Sequence, residues 1–171
     1  MRAGQGLTLR AMEPEDLAWM YRLENDEELW NLGALNVPVS KHALRQFMAN
    51  STSDLYADRQ LRLVACLDTD GTVVGCIDLM DYSPRHSRAE VGLVVLPPFR
   101  RRGYATQMLE CLVRHARQDW FIHRLYAYVA VRNTPAMRLF EKAGFVPEAR
   151  LTDWLAWGSE AYEDAVMYGK I

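Results

Sequence analysis

Apolar and polar residues alternate most clearly between positions 61 and 96. Leu61, Leu63, Ala65 and Leu67 interleave with Arg62, Val64 and Cys66, and Asp68-Thr69-Asp70-Gly71 separates this run from a second one over Val73 to Leu79. A period of two interrupted by Asp and Gly predicts a β-hairpin. A third strand is expected over Ala89 to Leu96. The period then lengthens: Met108, Leu109, Leu112, Val113 and Ala116 recur at helical spacing, with Gln107, Glu110, Arg114 and Arg117 on the opposite side. That is the pattern of a helix lying on a sheet. Arg124 to Val131 returns to strand and Thr134 to Ala143 to helix, stopped by Gly144. From Phe145 onward the chain reads as strands that close with Ala165 to Tyr168.

The N-terminal third is less regular. Leu7 to Ala11 reads as an opening strand. Glu13-Pro14-Glu15-Asp16 starts a helix, with proline near its first position and acids at its positive end, and Leu17, Met20, Tyr21 and Glu24 continue it. Asn31 to Pro38 is expected as loop. Ser40, a good N-cap, precedes a second helix with Ala43, Leu44, Phe47 and Met48 on one face. The order β-α-α-β-β-β-α-β-α-β-β implies an α/β fold: a mixed sheet with helices on both faces.

With 171 residues, the chain suits one domain spanning 1–171, large enough to bury a core without disulfides. A net charge of −2 excludes a broad basic face for nucleic acid, while Arg100-Arg101-Arg102 remains a local place for a small anion. The cysteines, Cys66, Cys76 and Cys111, are odd in number and widely spaced, so neither a disulfide framework nor a metal site fits. No stretch approaches the ~18 apolar residues of a membrane span, and the expected setting is a reducing cytoplasm.

Candidate chemistry centres on Pro98-Phe99-Arg100-Arg101-Arg102-Gly103-Tyr104-Ala105-Thr106, which follows an apolar strand and opens the best-patterned helix. A helix start presents unspent N–H groups and the positive end of its dipole, and glycine lets an anion approach closely. Arg-x-x-Gly-x-Ala, from Arg100 to Ala105, resembles the acetyl-coenzyme A motif of the GCN5-related N-acetyltransferase superfamily. Val129-Ala130-Val131-Arg132-Asn133, with Ala136, Leu139-Phe140-Glu141-Lys142 and Ala143-Gly144-Phe145, resembles that family's later strand, asparagine, helix and closing Gly-Phe. Together with Arg88-Ala89-Glu90-Val91-Gly92, the resemblance covers roughly residues 60 to 168.

The resemblance implies a mostly antiparallel sheet whose two central parallel strands splay apart around the pantetheine arm of acetyl-CoA. Leu93, Val94 and Val95 would then meet the pantetheine, and Arg100, Arg101, Arg102, Gly103, Tyr104, Ala105 and Thr106 the pyrophosphate. Asn133 would touch the cofactor or cap the helix it precedes, and Phe140 would lie beside the cofactor. Many relatives have tyrosine at the position of Phe140, which can protonate a leaving thiolate; phenylalanine cannot. N–H groups near Val94 would face negative charge developing on the acyl oxygen. Glu90 is the first candidate to deprotonate the acceptor, set against a salt bridge to Arg85 or Arg88, with Asp78 and Asp81 as alternates.

The whole-chain pattern resembles the branch of spermidine and ribosomal-protein N-terminal acetyltransferases, which implies direct transfer to a primary amine, either a polyamine-type small molecule or a protein N-terminus. Glu24, Glu28, Asp78 and Asp81 are candidates to attract such a cation, although an acidic run such as Glu24, Asp26, Glu27 and Glu28 also suits a solvated helix face. Spermidine enzymes carry a glutamate pair before the proline corresponding to Pro38; here Asn36 and Val37 stand there. A protein that binds acetyl-CoA as a sensor without turnover is the alternative. Trp154 and Trp157, near expected strand edges, suit either core packing or a homodimer or larger homo-oligomer.

Overall fold

The computed structural model describes residues 1–30, 37–157 and 161–171, the side chains of residues 28, 30 and 157 apart. The expected hairpin is formed by β2 (Leu61–Leu67) and β3 (Val73–Ser83). In its turn Gly71 adopts φ +74°, and the Asp70 carboxylate accepts the Thr72 N–H at 2.9 Å. β1 (Leu7–Arg10) flanks β2, and β4 (Arg88–Val95) flanks β3, all antiparallel. A helix, α5 (Tyr104–Gln118), crosses to β5 (Arg124–Ala130), which lies parallel to β4. After α6 (Thr134–Lys142), β6 (Val146–Trp157) and β7 (Ala161–Lys170) complete a seven-stranded sheet of order β1-β2-β3-β4-β5-β7-β6.

Each face of the sheet has its own core. Alternation along β2 sends Leu63 and Ala65 to one side, where Met108, Leu109, Leu112 and Ala116 of α5 and Phe140 of α6 cover them. Val64 and Cys66 point the other way. They pack, with Cys76, against Trp19, Met20 and Leu23 of α1 (Leu17–Glu24) and Leu44 of α3 (Lys41–Asn50). Helices on both faces are therefore the observed arrangement. Among the described residues, no helix is long and apolar enough to cross a membrane.

The helix ends follow their chemistry. Ser40 Oγ accepts the Ala43 N–H at 3.0 Å and starts α3. Gly144, at φ +80°, ends α6 while the Phe145 N–H closes back on the Phe140 carbonyl at 3.0 Å. Near the N-terminus Pro14–Asp16 forms a single tight turn before α1. Buried Asp16 receives two hydrogen bonds from Arg10, at 2.7 and 2.8 Å, one from Trp19 Nε1 at 2.8 Å and one from the Glu13 N–H at 2.8 Å.

Several expectations need correction. Trp19, rather than Tyr21, faces the core beside Met20; Tyr21 is 36% exposed because the buried stripe of α1 is 19, 20 and 23. Ala43 is exposed on α3. Two one-turn helices, α2 (Glu27–Trp30) and α4 (Leu55–Asp58), are too short to register as a period. α4 stands on a cap, with Asp54 accepting the Tyr56 N–H at 2.8 Å. The loop expected over Asn31 to Pro38 lies outside the described residues except for Val37 and Pro38.

Candidate functional site

β4 and β5 run side by side only where Arg88, Ala89 and Glu90 oppose Arg124, Leu125 and Tyr126. Beyond that point β4 stays on β3 as far as Val95, and β5 stays on β7 as far as Ala130, so a wedge opens between them. Strand alternation decides which backbone groups enter it. The Leu96 N–H donates to Val74 O on β3 at 2.9 Å, so Val94, two residues earlier, also turns its backbone toward β3. Leu93 and Val95 turn theirs into the wedge, and the Val95 carbonyl accepts Arg100 Nε at 3.0 Å. Donors for charge near Val94 are thus the amides on either side of it. Leu93, Val94 and Val95 are half-buried, and their side chains pack into the apolar clusters on the two faces of the sheet.

At the mouth of the wedge Arg101 and Gly103 both adopt left-handed backbone, at φ +61° and +82°. Gly103 is the N-cap of α5, and no side chain caps this helix. A Cβ added at Gly103 would meet no atom within 4 Å, so its surroundings are open and the glycine is needed for its dihedral. Tyr104, Ala105 and Thr106 form the first turn, whose N–H groups have no intrahelical acceptors. Arg100, Arg101 and Arg102 are exposed around them, with the Arg102 guanidinium 5.8 Å from the Phe99 ring centre. This end of the helix can receive an anion.

Asn133 caps α6, its Oδ1 accepting the Ala136 N–H at 3.2 Å. The capping role is therefore observed, and among the described residues the amide NH2 is left for another acceptor. Phe140 is buried, edge-on to Phe145 at 5.0 Å between ring centres and stacked on Tyr168 at 6.2 Å. Tyr168 donates its hydroxyl to Glu141 at 2.9 Å, and burial together with that bond pushes its pKa up to about 12. Tyr82 packs edge-on to Tyr56.

Where β4 and β5 begin to part, Met80, Glu90 and Tyr126 stand in line across three strands. Glu90 is half-buried and, among the described residues, makes no ion pair; the salt bridge to Arg85 or Arg88 is absent there. Burial, followed by the charge of Asp81, raises its pKa above the usual carboxylate value. β3 carries a bulge between Met80 and Ser83, with Asp81 at φ +47°. From there Asp81 Oδ2 accepts the hydroxyl of buried Tyr126 at 2.6 Å. Beyond Glu90, the Met80 side chain lies over Gly92, where an added Cβ would be 2.9 Å from Met80 Cε.

Of the candidate acceptor-binding acids, Glu24 and Asp78 come together, but on a cation. Arg62 binds Asp78 through two hydrogen bonds of 2.9 Å and Glu24 through one of 2.5 Å. Both carboxylates are therefore engaged within the fold, one guanidinium serving two acids. Asp81 is turned to Tyr126, and the side chain of Glu28 lies outside the described residues. Arg62 escaped notice in the sequence, although an arginine between Leu61 and Leu63 on the face of Val64 and Cys66 is a signal for a buried partner. Trp154, on the outermost strand, is 53% exposed and 5.6 Å from the Tyr128 ring, so the core is not its place; Trp157 lies outside the described side chains.

Comparison with known proteins places this geometry. A family model described as an acetyltransferase (GNAT) domain matches residues 6–146. An uncharacterized SPbeta prophage-derived N-acetyltransferase of Bacillus subtilis is 30% identical over 166 residues, covering 97% of this chain and 90% of its own. The spermidine N(1)-acetyltransferase of Vibrio cholerae is 26% identical over 147 residues, 86% of this chain and 83% of that one. A solved spermidine N-acetyltransferase from Vibrio cholerae, in complex with CoA and spermine, has the same fold: TM-score 0.87 at 23% identity, over 98% of this chain and 96% of that one.

Proposed function

The chain belongs to the GNAT family of acetyltransferases, whose acetyl donor is acetyl-CoA, and from that premise we propose that it acetylates a primary amine by direct transfer, with Glu90 taking the acceptor's proton. The observation that carries this reading is the wedge between β4 and β5, with an uncapped, arginine-flanked helix start at its mouth and Glu90 at its apex. Acetyl-CoA supplies the acyl group as a thioester, and a thiol of pKa near ~8.5 leaves without full protonation.

The residues present fit that donor. N–H groups of the Arg101–Thr106 segment and the arginine side chains would hold the pyrophosphate, and the backbone of Leu93 and Val95 the pantetheine. The amides facing the wedge offer fixed donors for negative charge on the acyl oxygen in a water-poor setting. Glu90, directly or through one water, receives the ammonium proton, and its raised pKa makes it a stronger base than an ordinary carboxylate. Phe140 offers no proton to the departing thiolate, and the hydroxyls of Tyr126 and Tyr168 are both turned to carboxylates.

Direct transfer is supported by the state of the thiols. Cys66, Cys76 and Cys111 are all buried, and burial raises the pKa of each, which is the environment of an inert cysteine rather than a nucleophile. Spermidine is the first acceptor to try, on the likeness to the Vibrio enzyme.

The test is free-thiol release from acetyl-CoA with spermidine, spermine, amino acids, aminoglycosides and basic N-terminal peptides, alongside calorimetry of acetyl-CoA binding. Turnover with one amine class is the expected result. Gly103→Val, which forces a β-branched residue to φ +82°, is expected to weaken acetyl-CoA binding by roughly tenfold. Unchanged binding would discredit the pyrophosphate assignment. Binding without turnover of any acceptor would leave a sensor.

A further inference from the structure

We infer that Asp81 is a positioning residue for the acceptor's base: held over the base of the wedge by Tyr126, it acts on Glu90 through its negative charge. The inference rests on the reading of Glu90 given above. Its basis is geometric. Met80 on β3, Glu90 on β4 and Tyr126 on β5 are consecutive partners across the sheet. Asp81 is next to Met80, yet its carboxylate reaches the Tyr126 hydroxyl two strands away, at 2.6 Å. The bond therefore passes over β4 at the level of Glu90.

Regular strand geometry would not bring the Asp81 side chain there. The bulge between Met80 and Ser83 re-aims it, at the cost of a left-handed backbone at a residue other than glycine. Bulges of this kind recur beside reactive sites, and strain persists where the surrounding structure over-determines it. The Tyr126 hydroxyl has one role in the described structure, which is to fix the Asp81 carboxylate.

The charges around Glu90 make Asp81 the one that matters. On β3, Asp78 stands opposite Gly92, two residues along, but it is turned to Arg62, which it shares with Glu24. On β5, Tyr126 is neutral, and Tyr128 follows it edge-on at 5.7 Å. Arg88 and Arg124 lie two residues before Glu90 and Tyr126 on their strands, with Arg124 ion-paired to Glu148. Asp81 is thus the negative neighbour without a cationic partner among the described residues. A like charge disfavours ionisation of a half-buried carboxylate, which makes Glu90 a better proton acceptor near neutral pH.

The experiment follows the Glu90 carboxyl carbon directly, by 13C NMR titration of the full chain with labelled glutamate. The Glu90 signal is assigned by its loss in Glu90→Gln, and the same samples give a pH–rate profile. In Asp81→Asn, which keeps a side chain tolerant of positive φ, the titration of Glu90 is expected to move to lower pH by roughly one unit. Tyr126→Phe keeps the charge and removes its tether, so the titration is expected to move to lower pH by less than in Asp81→Asn, while kcat/KM falls severalfold. An unmoved titration in Asp81→Asn, or one that stays in place or moves upward in Tyr126→Phe, would overturn the inference. A shifted titration with a pH–rate profile that ignores it would instead strike Glu90 as the base and leave the coupling to Asp81 standing.

Discussion

Asp78 and Glu90 stand on adjacent strands, two register steps apart, yet they are treated oppositely. Asp78 shares the Arg62 guanidinium with Glu24, and that guanidinium is turned inward among carboxylates. Glu90 has a second acid, Asp81, for its charged neighbour. A half-buried carboxylate that lacks a cation keeps its proton to higher pH and remains able to exchange it, whereas Asp78 is spent on a structural ion pair. The difference teaches that acidity in this part of the sheet serves two ends. The Arg62 group ties α1 to the hairpin, and the Glu90 group is left unquenched at the apex of the wedge.

The sharpest way to break this contrast is Glu90→Gln. Loss of the proton acceptor is expected to lower kcat/KM by roughly 10²–10⁴-fold, read by thiol release, while thermal melting shows equal or higher stability. A large fall in stability with activity retained would move Glu90 into the structural class. Next in size is Arg62→Met, which leaves two carboxylates facing a protein interior. The group is partly buried, so the loss is expected to fall below the ~3–5 kcal/mol of a fully buried ion pair, to be measured by urea denaturation, and adding Asp78→Asn is expected to recover part of that loss without restoring any activity beyond its effect on folding.

A smaller effect separates the carboxylates by pH. Burial works against the charge of Asp16, but hydrogen bonds from Arg10, the Glu13 amide and Trp19 outweigh it and hold its pKa below the ordinary value. Its stabilisation is present above the unfolded value of ~3.9 and is lost as pH falls through the folded one. Glu90 has the opposite sign: its contribution is complete below the unfolded value of ~4.3 and is lost as pH rises through the raised folded value. Denaturation curves between about pH 3 and 7 are expected to show Asp16→Asn losing its deficit toward acid. Glu90→Gln is expected to gain on the native chain as pH rises above ~4.3.

Much of the architecture was legible as period and punctuation. The hairpin at Asp68 to Gly71, the helix beginning at Tyr104 and the stop at Gly144 each rest on local rules that the tertiary structure leaves intact. The wedge was legible only through likeness to a family, since its cause is the loss of pairing between two strands far apart along the chain. Asp81 was legible as an acid near the site but not as a partner of Tyr126, because a bulge shifts the side-chain alternation by a step that composition does not reveal. The role of Arg62 was missed for a different reason. A charged residue inside an apolar alternation announces a buried partner, but the partners, Asp78 and Glu24, come from a neighbouring strand and from a helix 38 residues away.

The short seam between β4 and β5 has a mechanical consequence. The sheet consists of two well-laced panels, β1 to β4 and β5 with β7 and β6, fastened to each other edge to edge along only Arg88–Glu90 and Arg124–Tyr126. One apolar core, under α5 and α6, runs beneath both panels, so the seam ends at Glu90 while the layer below it continues. A molecule hydrogen-bonded to both lips of the wedge acts as a staple, so that acetyl-CoA is expected to slow hydrogen exchange at the Leu93 and Val95 amides and to make the two panels unfold together.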